Sequence, residues 1–224
     1  MLKIYRYTTN QYLEQWYKED GTHSMVFQPI SRYPKIENDI RKDPLEGVAY
    51  YMPDETEIMI GDMLFPAWDI RTGTAVENFM IACLSTDYSK ELCDRFNADC
   101  VLEGEIEGLE KRIDVNGKFN NNIYEFKLPI LNGEAKEILR FYLGHVNYDD
   151  KTTNTSQFTQ DELFKKTLFT KCKNFAIENE FRIVVEIPQS LLDMCKTRNS
   201  EEMHSRIPLE YLSVKQWKLL PNFW

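Results

Sequence analysis

The sequence predicts an α+β domain of mixed, mainly antiparallel sheets with flanking helices, and three observations carry that prediction. Several segments alternate apolar and polar residues with period two, most clearly "IENEFRIVVEIP" at 177–188. Helical patterns are few and do not alternate regularly with the strands, which is the α+β pattern. An Asn116-Gly117 dipeptide between strand-like runs marks a hairpin, because both residues tolerate positive φ at its turn.

Taken in order, "LKIYRYT" is a first strand, and Thr8 is placed to cap a helix with Gln11 three residues on and Tyr12, Leu13, Trp16 and Tyr17 as its apolar set. "SMVFQPI" is a second strand, and 32–68 mixes turn signals with short apolar pieces that no period organises. Within it, Asp43-Pro44-x-Glu46-Gly47 reads as a turn. "ENFMIACLSTDYS" alternates around Phe79, Ile81, Cys83 and Ser85, a buried strand ending in hydroxyls, followed by the helix "SKELCDRFN". "NGEAKEILRFYL" reads as a helix, "GHVNYDD" as a short strand, and 159–177 as a longer helix with Thr159 and Glu162 as capping box and a stripe of Phe164, Leu168, Cys172 and Phe175. That helix runs into the 177–188 strand.

With 224 residues, 42% of them hydrophobic, the chain can bury a real core, and it shows no repeat, low-complexity tract or linker, so residues 1–224 form one domain. A net charge of −9 argues against a broad basic surface coating nucleic acid, leaving only a local basic groove open. Five cysteines form no C-x-x-C and the three histidines lie far apart, so neither a zinc site nor a disulfide framework is expected. No apolar run approaches membrane-spanning length. A cytoplasmic protein without a membrane segment is expected.

Three places concentrate chemistry. On the 177–188 strand, alternation puts Glu178, Glu180 and Arg182 on one face, where two carboxylates repel unless something rewards them. Arg6 lies in the first strand on the face of Leu2 and Ile4, an odd position for an unpaired guanidinium. Ser85-Thr86 ends a strand of otherwise apolar alternation, where hydroxyls can orient a neighbouring charge. Read alone, the charged row is ordinary solvated sheet surface, with Glu180 and Arg182 neutralising each other.

Together, an arginine on the first strand, Ser-Thr on a central strand and Glu-x-Glu on a late strand resemble the R-S-E arrangement of ADP-ribosyltransferases. That resemblance implies an ADP-ribosyltransferase-like fold and transfer of ADP-ribose from NAD, used as substrate, to a protein or nucleic-acid acceptor. It implies that Arg6 holds NAD, that Ser85, with Thr86 beside it, orients the site, and that Glu180 stabilises the cation left as nicotinamide departs. Glu178 then orients or deprotonates the acceptor. Tyr7 belongs to a large aromatic supply that can stack nicotinamide or adenine. Where the family pattern has Ser-Thr-Ser, this chain has Ser85-Thr86-Asp87.

"IYRYTT", "NDIRKDPLEG", "ACLSTD", "VNYDD" and "FAIENEFRIV", in that order, also resemble an uncharacterised prokaryotic family related to abortive phage infection proteins. This implies a phage-defence or toxin setting, with an antitoxin protein as a partner. A rival reading is a metal-dependent nuclease, since Asp114 with Glu125-Phe126-Lys127 echoes a D…E-x-K spacing in which carboxylates hold a divalent cation and Lys127 orients water. A third is a binding module in which the charged row is an ion-pair ladder. Neither G-x-S-x-G nor a Walker loop occurs.

Overall fold

The computed structural model describes residues 1–18, 20, 23–30, 48–51, 57–60, 62–66, 70–73, 78–108, 113–114, 123–132, 135–149, 165–190 and 205–221. The chain opens with β1 (Leu2–Thr8), α1 (Asn10–Leu13) and β2 (Ser24–Pro29). Four short strands follow, β3 (Val48–Tyr51), β4 (Glu57–Ile60), β5 (Met63–Pro66) and β6 (Ile70–Gly73), with β4 paired to β5 and β3 to β6. Next come β7 (Phe79–Ser85), α2 (Lys90–Phe96), β8 (Cys100–Ile106), β9 (Ile113–Asp114), β10 (Tyr124–Asn132), β11 (Ala135–His145) and β12 (Asn147–Tyr148). The chain closes with β13 (Thr170–Lys171), a 3-10 helix (Lys173–Glu178), β14 (Glu180–Glu186), β15 (Ser205–Pro208), a second 3-10 helix (Leu209–Leu212) and β16 (Lys218–Leu219).

Among the described residues, ten strands make one antiparallel sheet in the order β16-β8-β1-β7-β14-β11-β10-β9, with β2 on the other end of β7 and β15 on β2. A mainly antiparallel sheet with a few helices is the α+β class expected. β12 and β13 form a separate parallel pair. No described helix is long and apolar enough to cross a membrane.

The register fixes what each face carries. Tyr5 is level with Ser85 and Ser85 with Glu180, so these three share a face; Ile4, Leu84 and Phe181 share the other. One face builds the larger core from Ile4, Leu84, Phe141, Leu143, Phe181, Ile183 and Val185, covered by Trp16, Phe27 and Trp217. The other face buries Ile81, Tyr142 and Val184 under Leu168 and Phe169, and Tyr5, Tyr7 and Val101 under Leu92 and Cys93 of α2. Both sides of the central strands are therefore dry. The even positions of β14, expected at a solvated surface, are largely enclosed instead: Glu180 and Arg182 are buried, Arg182 with no exposed surface, and Glu186 is half-buried.

Two predicted helices are corrected. Of the segment read as a helix over 132–143, Asn132 ends β10 and the described part from Ala135 is strand: β11 pairs β10 from Ala135 onward and β14 from Arg140. Phe141 and Leu143 fill one core and Tyr142 the other, so consecutive apolar residues erase the alternation that marks a one-sided strand. The predicted helix 159–177 is broken: 165–168 is helical, Thr170–Lys171 extended, and Lys173–Glu178 a 3-10 helix. Leu168 and Phe175 are buried as the stripe required; Thr159, Glu162 and Phe164 lie outside the described residues. In α1 the cap is Thr9 rather than Thr8, and its hydroxyl makes no capping bond. The Asn116-Gly117 turn and the Asp43-Pro44-x-Glu46-Gly47 segment also lie outside the described residues, although the flanking β9 and β10 do pair antiparallel.

β1 and β7 meet only at Tyr5 and Ser85, and farther along β7 its edge is taken by β2, with Gln28 level with Ile81 and Pro29 with Met80. Arg6 bridges the fork between them. Its Nη1 donates to the Cys83 carbonyl at 2.9 Å, replacing a missing ladder bond, and its guanidinium lies 4.5 Å from the centre of the Trp16 ring.

Candidate carboxylate site

Glu180 begins β14, and the backbone immediately before it decides where Glu178 goes. Asn179 is left-handed, with φ of 42°, and separates the 3-10 helix from the strand. Asparagine tolerates this region because its short polar side chain can bond locally. Glu178 consequently does not stand one pleat along the strand from Glu180, as straight alternation required. It comes from a helical turn folded against the strand end.

The Ser85-Thr86 hydroxyls hold that turn. Ser85 Oγ donates to the Glu178 carbonyl at 2.8 Å and accepts from the Asp87 amide at 3.0 Å. The Thr86 amide and hydroxyl both donate to the Asn179 carbonyl, at 2.9 and 3.1 Å. These residues orient the glutamates through the backbone, not through the carboxylates.

Three cations meet the two carboxylates. Arg182, with no exposed surface, donates from Nε to Glu180 Oε1 at 2.6 Å and from Nη1 to the Leu168 carbonyl at 2.6 Å. Lys171 Nζ lies 2.7 Å from Glu178 Oε2 and 3.1 Å from Glu180 Oε2, above the Phe175 ring at 4.5 Å. Arg95, in the last turn of α2, approaches Glu178 Oε1 with Nε and Nη2, both at 3.3 Å. Its side chain keeps 25% of its surface exposed, against 4% for Glu178. The backbone of Glu180 is tied as well, its amide to the Tyr148 hydroxyl at 2.7 Å and its carbonyl to the Val146 amide at 2.9 Å.

These surroundings push the carboxylates apart in proton affinity. Burial alone would raise Glu180, but the charges of Arg182 and Lys171, with hydrogen bonds from Arg182 and the Cys83 thiol, outweigh it and hold the carboxyl well below the usual range. For Glu178 burial wins: it raises the carboxyl above its ordinary value, aided by the charge of Glu180 and opposed by Lys171 and Arg95. The shorter bond from Lys171 goes to Glu178, so distance to that ammonium does not decide the order. The second buried cation on Glu180 does. Burial also pushes the Cys83 thiol and the Tyr148 phenol up, so both are neutral near pH 7.

Of the residues singled out in the sequence, the sheet brings together Ser85, Thr86, Glu178, Glu180 and Arg182. It does not bring Arg6, which lies on the opposite face of β1 from the Tyr5, Ser85 and Glu180 row; Glu180 pairs with Arg182 on its own strand. Tyr7 is on the Ser85 face, but its hydroxyl donates to the Asp87 carbonyl and accepts from the Ser89 amide, at 2.8 and 3.0 Å. In the nuclease trio, Asp114 is level with Tyr124 whereas Glu125 is level with Ile113, one residue out of step. Among the described residues no group of three histidine, cysteine or acidic side chains is placed to hold a metal ion.

Sequence reasoning did not find Lys171, Arg95, Tyr148 or Cys83. Arg95 sits where a cation ordinarily complements a helix C-terminus, which hides its link to Glu178. Lys171 gave no signal, because its segment reads as one continuous helix. No protein-family model, curated protein or solved structure matches this chain.

Proposed function

We propose that the chain is an ADP-ribosyltransferase-like enzyme that moves ADP-ribose from NAD to a macromolecular acceptor, in a phage-defence or toxin setting, with Glu178 and Glu180 as its working carboxylates. The observation that carries the reading is the unequal treatment of two carboxylates that share one ammonium. Glu180 is clamped by two buried cations, Arg182 and Lys171, while Glu178 shares Lys171 and meets the surface side through Arg95, a quarter of whose side chain is exposed. A pair driven to different proton affinities suits a division of labour. In it, the ribose–nicotinamide C–N bond breaks with its electrons leaving on nicotinamide, and Glu180, kept ionised, faces the sugar cation. The acceptor then forms its bond to the sugar carbon and gives its proton to Glu178, the more basic of the two.

Adjacency supports the reading for two of the three positions: the strands bearing Ser85 and Glu180 are neighbours in the sheet, with these two residues level. Arg6, however, is assigned to the sheet fork and not to NAD. The guanidiniums on the glutamate face are those of Arg182, buried on Glu180, and Arg95, partly exposed on Glu178. The test is nicotinamide release from NAD by the purified protein with lysate as acceptor source, expected to be abolished in Glu178→Gln when corrected for folded fraction. A wild-type protein that neither binds NAD nor releases nicotinamide removes the reading.

One observation favours a second reading. Glu180 is 4% exposed and fully engaged, as an ion-pair ladder that only supports the sheet would be. In that case Glu178→Gln changes melting temperature alone, and no small molecule shifts it.

A further inference from the structure

We propose that Lys171 is the positioning residue of the glutamate pair: its one ammonium ties Glu178 to Glu180 and sets how readily Glu178 takes up a proton beside the ionised Glu180. The catalytic consequence rests on the reading above; the arrangement itself does not.

Lys171 comes from outside the main sheet. Among the described residues β13 pairs with β12 in a separate parallel ribbon, and from there the side chain reaches over Phe175 to the gap between the carboxylates. The Oε2 atoms of both glutamates point to its nitrogen. Around it stand Arg95 from α2, Cys83 from β7, Tyr148 from β12, Glu178 from the 3-10 helix, and Glu180 and Arg182 from β14. Arg182 is engaged with Glu180 and the Leu168 carbonyl, and Arg95 reaches the far oxygen of Glu178. Take the ammonium away and the two Oε2 atoms face one another across the vacated space. Two adjacent carboxylates cannot both stay ionised at ordinary cost, and Arg182 still holds Glu180 charged, so the proton goes to Glu178.

The experiment compares wild type, Lys171→Met and Lys171→Arg by carboxyl NMR titration of glutamate-labelled protein, with Glu178 assigned from the signal lost in Glu178→Gln. The Glu178 midpoint is expected to rise by about one pH unit or more in Lys171→Met. In Lys171→Arg it should stay near wild type. An unmoved midpoint in Lys171→Met, or an equal move in both variants, overturns the proposal.

Melting temperature against pH gives a second readout. With Glu178 raised further, native Lys171→Met binds more protons than the unfolded chain, whose glutamates titrate near about 4.3. Its stability therefore falls as pH rises, and its deficit against wild type must widen from about pH 5 to about pH 8. A deficit constant across that range would make Lys171 a packing residue only. A Lys171→Met chain unfolded throughout also overturns the proposal, since acid should restore the pair. Neither measurement uses NAD, so failure of NAD turnover removes the enzymatic reading without touching this one.

Discussion

Replacing Arg182 by methionine removes a fully buried guanidinium while keeping most of its volume. Two bonds of 2.6 Å disappear, to the Glu180 carboxylate and to the Leu168 carbonyl, and Glu180 is left buried against the shared ammonium of Lys171. Breaking a buried ion pair on one side costs about 3–5 kcal/mol, and two hydrogen bonds involving a charge, at about 1.5–3 kcal/mol each, sum to about 3–6 kcal/mol, which overlaps it. For a chain of this size each kcal/mol lowers the melting temperature by about 2–4 °C, so Arg182→Met should melt about 6–20 °C below wild type. The decisive comparison is with the double variant Glu180→Leu, Arg182→Met. Removing both charges leaves Lys171 on Glu178 at 2.7 Å and strands no carboxylate, so the double variant should be more stable than Arg182→Met alone. Urea unfolding followed by circular dichroism measures both. If the double variant is as unstable as Arg182→Met or worse, stranded charge is not what makes Arg182 matter.

Three other expectations follow from particular contacts. Arg6→Met, which removes the bond to the Cys83 carbonyl at the fork between β1 and β7, should cost about 1–3 kcal/mol in chemical denaturation and, on the transferase reading proposed above, leave any NAD turnover unmoved; a raised KM would return Arg6 to the proposed NAD site. Gly104→Ala puts a Cβ 2.7 Å from the Trp217 ring and should cost about 1–3 kcal/mol with a shifted tryptophan emission, whereas an unchanged melting temperature would mean that the ring yields freely. Glu180, whose folded carboxyl is held below its unfolded value, contributes stability present above about pH 4.3 and lost as pH falls below it. Glu180→Gln should therefore show a shallower acid-side fall in melting temperature, and an identical slope would contradict the depressed carboxyl.

Much of the central sheet was legible because its strands obey local rules. β1, β2 and β7 are short apolar runs bounded by polar turn residues, the core side of β14 alternates, and α2 is capped by Ser89, whose hydroxyl accepts from the Leu92 amide as a cap should. β11 was not legible: with Phe141 and Tyr142 facing different cores, a two-sided strand has no period-two contrast to read. Of the site, Glu178, Glu180, Arg182 and Ser85 could be named from the sequence, but not their arrangement. The alternation of "IENEF" runs smoothly through Asn179, while the backbone there turns left-handed and takes Glu178 off the strand. Arg6 on its strand face calls for an anion or a carboxylate, and the structure supplies a backbone carbonyl and the Trp16 ring instead, which no side-chain motif reveals.

The same geometry bears on why the chain keeps so much buried charge. β14 is already stitched to β7 over seven residue pairs, Glu180 to Glu186, and to β11 over six, Phe181 to Glu186, so its register does not depend on an ion pair. A pair at 180 and 182 serving the fold alone could be replaced by apolar residues at little cost or with a gain. Adding Glu178, Lys171 and Arg95 multiplies the desolvation without adding a strand contact. The Ser85 and Thr86 hydroxyls are further committed to holding the left-handed turn that brings Glu178 in. Structure that is costly, redundant for register and aimed at keeping two carboxylates together is what a preorganised site requires and a ladder does not.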